Sequence, residues 1–122
     1  MSKPETIKID DIEYVRKGSE EENAKKLDGM NYVLIRTHSA GVHVGYLKSR
    51  EGKEVVLLNS RRLWYWSGAS SLSQLAMEGV KEPSKCKFPC EVSEITLTEA
   101  IEVITVTEEA RENIAGVEVW KQ

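Results

Sequence analysis

The chain has 122 residues, of which 40% are hydrophobic and 30% are charged. This length and composition are typical of one globular domain with one hydrophobic core. Its formal net charge of −3 argues against binding to a nucleic-acid polymer, because phosphate backbones attract proteins with a net basic face. No apolar run is long enough to span a membrane, and the first residues, MSKPETIKIDD, lack the apolar segment of a signal peptide. We therefore expect a cytoplasmic protein that does not bind a membrane.

Residues 1–29 are predicted to form an N-terminal arm and a polar connector. Ser19 and Glu22 have the spacing of a helix capping box, but the stretch SEEENAKKLDG has almost no apolar face. Before it, the apolar residues alternate with polar ones in the manner of two short strands or a hairpin: Ile7, Ile9, Ile12 and Tyr14. The arm is too small to fold by itself.

Residues 30–122 are predicted to form a single ligand-binding domain that begins with an antiparallel meander. Three runs are rich in β-branched and apolar residues: NYVLIRT, VHVGYLKSR and KEVVLLN. Glu51 and Gly52 offer a hairpin turn between the second and third runs. The next run, RRLWYW, is interpreted as a fourth strand. Strand alternation then places Arg62, Trp64 and Trp66 on one face and Arg61, Leu63 and Tyr65 on the other.

The second half of this domain predicts two helices and further sheet. Ser71 and Gln74 have capping-box spacing, and Pro83 stands beyond the expected end of that helix. The run EVSEITLTEAIEVITV has apolar residues in period two, which indicates one long bent strand or two short ones. Thr107 and Gly116 are expected to start and stop a short C-terminal helix. The predicted fold is α+β: an antiparallel meander with one well-specified helix, a short C-terminal helix and an N-terminal β-arm.

The chain offers few groups for catalysis or metal binding. Its soft metal ligands are Cys86, Cys90, His38 and His43, and their C-x3-C and H-x4-H spacings do not fit the common zinc sites. No nucleophile motif, metalloprotease motif or glycine-rich phosphate loop occurs, and two histidines make an acid-base catalyst hard to assemble. We therefore expect no enzyme activity, no metal and no cofactor, with both cysteines reduced.

The turn in THSAGVHVG is the first candidate binding element. The backbone N–H groups of Ser39, Ala40 and Gly41 can approach an anion closely, and the Ser39 hydroxyl adds a donor. The alternative is an ordinary turn between strands, because the sequence lacks a full phosphate-loop signature.

The aromatic run is the second candidate binding element. A guanidinium at Arg62 suits a phosphate, and an indole at Trp64 or Trp66 suits stacking on a base. The alternative is that the tryptophans fill the core, as buried tryptophans usually do.

Two stretches resemble the first type of the phage-encoded Thoeris anti-defence family: IKIDDIEYVRKG and IRTHSAGVHVGYLKSREGKEVVLLNSRRLWYWSGASSLSQLAMEGVKEPSKCKF. The resemblance covers nearly the whole chain and is densest from Arg36 to Val80. It implies a small cytoplasmic α+β protein that sequesters cyclic nucleotide immune signals without cleaving them. Those signals are chiefly glycocyclic ADP-ribose isomers and, for some members, CBASS cyclic di- or trinucleotides. It also implies a homo-oligomer, a dimer or hexamer, with pockets at protomer boundaries.

Some positions depart from the family's pattern and leave the preferred ligand open. His38 stands where a tyrosine is usual, and Ser67 and Ser70 stand where an acid and an alanine are usual. The binding residues are therefore assigned by their chemistry: phosphates on the amides of Ser39, Ala40, Gly41 and Val42 and on Arg62, a base on Trp64 or Trp66, the ribose near His43, and Arg111 closing the pocket from the last helix.

Three further alternatives remain open, and one is that the protein is an enzyme that degrades the signal. Arg111 could instead be a solvated helix residue paired with Glu108, which precedes it at helical spacing. The whole protein could instead be a phage accessory module that binds another protein through a Trp-rich interface.

Overall fold

The computed structural model describes residues 22–121. The predicted arm strands and the cap at Ser19 lie outside these residues. The described part contains five strands and two α-helices: β1 (Tyr32–Thr37), β2 (Val42–Glu51), β3 (Glu54–Arg62), α1 (Leu72–Glu78), β4 (Val92–Leu97), β5 (Ala100–Thr105) and α2 (Glu108–Ala115). A short 3-10 helix, Pro83–Lys85, follows α1. The predicted α+β class, with an antiparallel meander and two helices, is confirmed.

The five strands form one antiparallel sheet in the order β4-β3-β2-β1-β5. β4 and β5 therefore lie at opposite edges, although only Thr98 and Glu99 separate them in sequence. The Ala100 N–H at the start of β5 donates to the Lys53 carbonyl in the β2–β3 turn, at 3.0 Å. Such a short connection requires the sheet to curl until its two outer strands meet at one end, as in a small barrel.

The curl gives the sheet two buried faces, and the expected single core is replaced by two clusters. The inner face of the curl is filled by Val33, Ile35, Val55, Leu57 and Leu97. The outer face is covered by α1, α2 and the segments next to them, and Phe88, Leu75 and Ile114 are fully buried there. Successive strand residues point to opposite faces, so Leu34 belongs to the helix-side cluster and its neighbours Val33 and Ile35 to the inner one.

The interpretation of RRLWYW as a fourth strand is wrong. Arg61 and Arg62 are the last residues of β3, and β4 at Val92–Leu97 is the fourth strand. The sequence Asn59-Ser60 reads as a break, but Asn59 adopts a left-handed backbone with φ 51°, which asparagine tolerates, and β3 continues through it. The Leu63 N–H makes the last bond to the sheet, to the Val42 carbonyl at 2.9 Å, and the chain then leaves it.

The helix boundaries follow the predicted capping residues. The Ser71 hydroxyl accepts the Gln74 N–H at the start of α1, and the Thr107 hydroxyl accepts the Ala110 N–H at the start of α2. Gly79 and Gly116 end the two helices. The hydroxyl caps of Ser71 and Thr107 satisfy backbone donors that the first turn of a helix leaves free.

The end of the predicted connector packs on the folded domain. Ala24 is buried, and its N–H donates to the Val106 carbonyl at 2.9 Å. Asn23 forms a bridge to Thr107, and the chain then turns through Asp28 and Gly29, both with positive φ, into β1. In the described part of the chain, no helix is long and apolar enough to cross a membrane.

Leu57→Ala should destabilise the protein because Leu57 is fully buried inside the curl. We expect the free energy of unfolding to fall by about 2–5 kcal/mol, as is usual when a buried leucine leaves a cavity. Urea titration followed by far-UV circular dichroism measures this change. The matched control is Leu27→Ala, at a leucine that is 37% exposed, which should cost less than about 1 kcal/mol. Equal effects of the two substitutions would contradict the inner core.

Candidate ligand-binding pocket

A pocket of about 370 Å³ lies between the helix-side face of the sheet and the C-terminal half of α2. Its walls combine charged, aromatic and aliphatic side chains: Tyr32, Tyr46, Asn59, Arg61, Glu91, Arg111, Ile114, Ala115, Val117 and Val119. A concave site with a few convergent polar groups on an apolar wall is the usual form of a small-molecule site.

Arg61 forms the floor of this pocket and is itself buried. Its guanidinium donates to four carbonyl oxygens, at 2.7 to 3.1 Å: Phe88, Pro89, Ile114 and Val117. Two of these carbonyls lie at the end of α2, where the helix dipole favours a cation. Carbonyls satisfy the N–H donors without cancelling the charge, so Arg61 contributes positive potential to the pocket. Burial lowers the pKa of Arg61, but a guanidinium stays protonated at neutral pH.

Arg111 reaches the same pocket from α2 and also makes the predicted helix ion pair. Its Nε and Nη2 donate to the two carboxylate oxygens of Glu108, at 3.2 and 2.6 Å. The Arg111 guanidinium, together with the Lys25 N–H, lowers the pKa of Glu108 to about 2. This fork holds the Arg111 side chain in one orientation. Arg111 can therefore line the pocket and pair with Glu108 at the same time.

Two tyrosines stand side by side on the sheet wall. Tyr32 and Tyr46 are cross-strand partners, and their rings pack edge to face with centroids 4.9 Å apart. Tyr32 is buried, which raises the pKa of its hydroxyl well above the usual range, whereas Tyr46 is partly exposed. The more accessible ring of Tyr46 offers an aromatic surface to a ligand.

The turn at Ser39–Val42 lies at the opposite end of β1 from Tyr32 and does not line this pocket. Its polar groups are engaged within the protein. The Ala40 N–H donates to Thr37 Oγ1 at 2.8 Å, and the Ser39 hydroxyl donates to a Glu99 carboxylate oxygen at 2.6 Å. An anion at this turn would displace the first contact and approach the Glu99 carboxylate. Gly41 has a φ of 86°, so a side chain there would be strained.

Arg62 and His43 both form a hydrogen bond to the backbone of this turn. The Arg62 Nη1 and the His43 Nε2 donate to the same Ala40 carbonyl, at 2.7 and 2.9 Å. Because a carbonyl only accepts, Nε2 carries the proton and Nδ1 is a bare acceptor. His43 is almost fully buried, and Nδ1 has no hydrogen-bond partner among the described residues. Burial is the main cause that lowers the pKa of His43, so the ring stays neutral at pH 7.

The two tryptophans of the aromatic run occupy different environments. Trp66 is partly buried and packs against the helix-side cluster, as the alternative interpretation expected. Trp64 is exposed, and neither side chain lines the pocket. The structure thus separates the predicted site residues into the Ser39–Val42 turn with Arg62 and His43, the aromatic run, and the pocket that contains Arg111.

A pair of cation–π contacts lies beside the C-terminal tail. The Lys87 ammonium lies 5.8 Å from the ring centroid of Tyr65 and 5.7 Å from that of Trp120. The Trp120 N–H donates to the Phe88 carbonyl at 2.9 Å, which holds the tail that carries Val119 into the pocket wall. In residues 22–121 no three His, Cys, Asp or Glu side chains are grouped to hold a metal ion.

A family model described as a domain of unknown function, DUF6948, matches residues 30–114. The chain belongs to the DUF6948 family. Comparison with the curated proteins and with the solved structures found no match. The part of the chain that matches DUF6948 includes Tyr32, Tyr46, Arg61 and Arg111, whereas Val117 and Val119 lie beyond it.

Of the residues that line this pocket, sequence reasoning selected Arg111 as a candidate and did not select Tyr32, Tyr46, Arg61 or Glu91. Alternation along β3 correctly separates Arg61 from Arg62, but we selected the face of Arg62 because it also carried Trp64 and Trp66. Arg61 shared its face with Leu63, which is buried, and that pairing was the available signal. Within the DUF6948 domain the face toward the helices is the one with the pocket.

Arg61→Ala should destabilise the fold far more than Arg62→Ala. The first change removes a donor from four carbonyls, of which Phe88 and Ile114 keep a backbone donor and Pro89 and Val117 lose the arginine donor. It should lower the free energy of unfolding by about 3–5 kcal/mol. The second removes one bond at an exposed position and should cost about 1 kcal/mol or less. Urea unfolding of both variants measures the difference. A larger loss of unfolding free energy in Arg62→Ala than in Arg61→Ala would contradict the structural role of Arg61.

Proposed function

We propose that this protein binds a cyclic nucleotide immune signal, such as a glycocyclic ADP-ribose isomer, and sequesters it without cleaving it. The observation that carries the proposal is the pocket in which Arg61 and Arg111 stand beside Tyr32 and Tyr46. Cationic and aromatic groups in one cavity match a ligand that joins phosphates to a base. The family resemblance in the sequence supports the same ligand class. It also supports a phage anti-defence role in the bacterial cytoplasm, where loss of the signal would leave the immune effector inactive.

The phosphates are assigned to the cationic side of the pocket. Arg111 keeps its Nη1 donors free of any bond to the described residues, so it can bind a phosphate while Glu108 holds its other edge. Arg61 adds the charge of a buried cation behind it. A charge-assisted hydrogen bond in such an environment is stronger than one in water.

The base and ribose are assigned to the remaining walls. Tyr46 presents a partly exposed ring for stacking, and stacking of a base on an aromatic ring contributes about 1–3 kcal/mol. The Glu91 carboxylate accepts hydrogen bonds only, which suits ribose hydroxyls or an exocyclic amine. Effective sequestration needs nanomolar affinity, about −12 kcal/mol, and requires both kinds of contact.

The pocket chemistry favours binding over cleavage. Hydrolysis of a glycosidic or phosphodiester bond needs an acid-base pair, an activated nucleophile or a metal ion. Glu91 is a single carboxylate on the described pocket wall, and His43 is buried away from it. A sponge gains from tight binding of the ground state, whereas an enzyme must bind the transition state more tightly. The proposal includes the homo-oligomer, a dimer or hexamer, that the resemblance implies.

A protein-interaction module is the second candidate, and one observation favours it. Trp64 and Tyr65 are 62% and 52% exposed, and aromatic side chains of this kind are enriched in protein interfaces. Calorimetric titration separates the two candidates. A glycocyclic ADP-ribose isomer at micromolar concentration should release or absorb heat on binding to a sponge and give no binding heat with a protein-only adaptor.

Arg111→Ala should weaken ligand binding much more than it weakens the fold. Loss of a charge-assisted phosphate contact should cost about 2–4 kcal/mol of affinity, measured by calorimetric titration with a glycocyclic ADP-ribose isomer. The matched control is Arg36→Ala, which removes another ion-paired arginine, bonded to Glu102 at 2.8 Å, outside the pocket. Equal affinities for the two variants, with both folded, would assign the ligand to a different surface.

The ligand recovered from the denatured protein should be chemically intact. The protein is incubated with a slight molar deficit of the isomer, loss of free ligand is confirmed, and the protein is then denatured by heat. We expect the supernatant to contain ligand of the original mass with full power to activate the immune effector. Binding should also stabilise the fold by about 4 kcal/mol when the ligand is a thousandfold above its dissociation constant. Release of linear ADP-ribose, or turnover of excess ligand, would make the protein an enzyme.

A further inference from the structure

The outer edge of β5 carries an unusual apolar surface. β5 pairs with β1 on one side, and no strand among residues 22–121 pairs with its other side. Ile101 and Val103 on this strand are 45% and 42% exposed. An exposed edge with apolar side chains is a template for another strand, and proteins usually cover it or protect it with charge.

The backbone groups of this edge can be assigned individually. The Val106 N–H donates to the Tyr32 carbonyl, so it points toward β1. Amides alternate in direction along a strand, and the N–H groups of Val103 and Thr105 therefore point outward, to the free edge. These two amides report directly on whether the edge is covered.

A groove of about 470 Å³ runs beside the edge, and basic side chains in its lining make the edge positively charged. It is lined by Arg50, Gly52 and Lys53 from the β2–β3 hairpin and by Ala100, Ile101, Glu102 and Val103 from β5. The Glu102 carboxylate is already paired with Arg36. Among residues 22–121, Arg50 and Lys53 form no ion pair. The edge therefore favours an occupant that is apolar and acidic.

The sequence of the N-terminal arm has this composition. Between Ile7 and Tyr14 the apolar residues Ile7, Ile9, Ile12 and Tyr14 are interspersed with Asp10, Asp11 and Glu13. The described chain begins beside the start of α2, where the Glu22 carbonyl accepts the Glu108 N–H at 2.8 Å. Residues 15–21 would link the arm to this point, and that length of extended chain spans roughly 26 Å. The outer edge of β5, about 17 Å long, is within reach.

We propose that residues 7–14 of the chain itself dock on the outer edge of β5 as a sixth strand. Ile7 and Ile9, which share one face of such a strand, would cover Ile101 and Val103. The arm's backbone would bond the outward amides of Val103 and Thr105, and its carboxylates would face Arg50 and Lys53. This is strand addition, in which main-chain bonds provide affinity and alternate side chains provide specificity. The proposal is independent of the ligand bound in the pocket.

The test is amide hydrogen exchange of the full chain, resolved by NMR at Val103 and Thr105. We expect both amides to be protected, and protection to fall by about tenfold or more in the double variant Ile7→Asp/Ile9→Asp. The matched control is Thr6→Asp/Lys8→Asp, which changes Lys8 on the opposite face of the segment and the residue just before the segment, and should shift protection by less than about threefold. Exchange at Leu34, in the centre of the sheet, should be equal in all three proteins and shows that the fold is intact.

The outcomes decide the proposal in each case. Fast exchange of Val103 and Thr105 in the unmodified chain would overturn it, because the edge would then be uncovered. Protection that both double variants retain would also overturn it and would assign the edge to another occupant. A third outcome is that the variant Ile7→Asp/Ile9→Asp loses protection, while protection in the unmodified chain rises with protein concentration. The added strand would then come from a second copy, and docking within one chain would be overturned.

Discussion

The guanidinium of Arg61 joins the parts of the molecule that the sheet alone does not connect. It is carried by β3 and bonds the segment at Phe88–Pro89, the end of α2 and the tail at Val117. A buried cation costs free energy unless every donor has a partner, and four carbonyls supply most of that compensation here. The same residue fixes the walls of the pocket and, together with Arg111, makes it positively charged, so the stability of the fold and the chemistry of the pocket depend on one side chain.

The curled sheet explains why the pocket lies where it does. Its inner face is filled by aliphatic side chains, whereas the outer face is covered by two short helices that do not extend over its whole width. The uncovered part, near Tyr32 and Tyr46, becomes the sheet wall of the pocket. A ligand site at the margin between a sheet and a helix can change its lining without changing the inner core.

Local signals in the sequence predicted the elements that depend on neighbouring residues. The meander, the caps at Ser71 and Thr107 and the helix ends follow from turns and capping chemistry within a few positions. The prediction of the fourth strand was wrong because Asn59 can either end a strand or continue it in a left-handed conformation, and the pairing of β3 with β2 and β4 on both sides of Asn59 leaves no local signal. Likewise, β4 and β5 sit at opposite edges through pairings with β3 and β1 that leave no local pattern. Most of the fold was therefore predictable, while the site, except for Arg111, was not.

The pairing of β1 with β5 has a consequence for how the chain folds. Val33 pairs with Thr105, so β1 cannot complete its pairing until β5, the last strand, is in place. The β1–β2–β3 meander, in contrast, forms from strands that are neighbours in sequence. Closing a loop of that size costs entropy before its contacts compensate, and non-local pairings of this kind slow folding. The meander is expected to form first as a partly open sheet, with α2 and the pocket assembled in the final, rate-limiting step. Nascent chains would then expose Val33 and Ile35 until β5 arrives, and that interval is when the protein is most prone to aggregate.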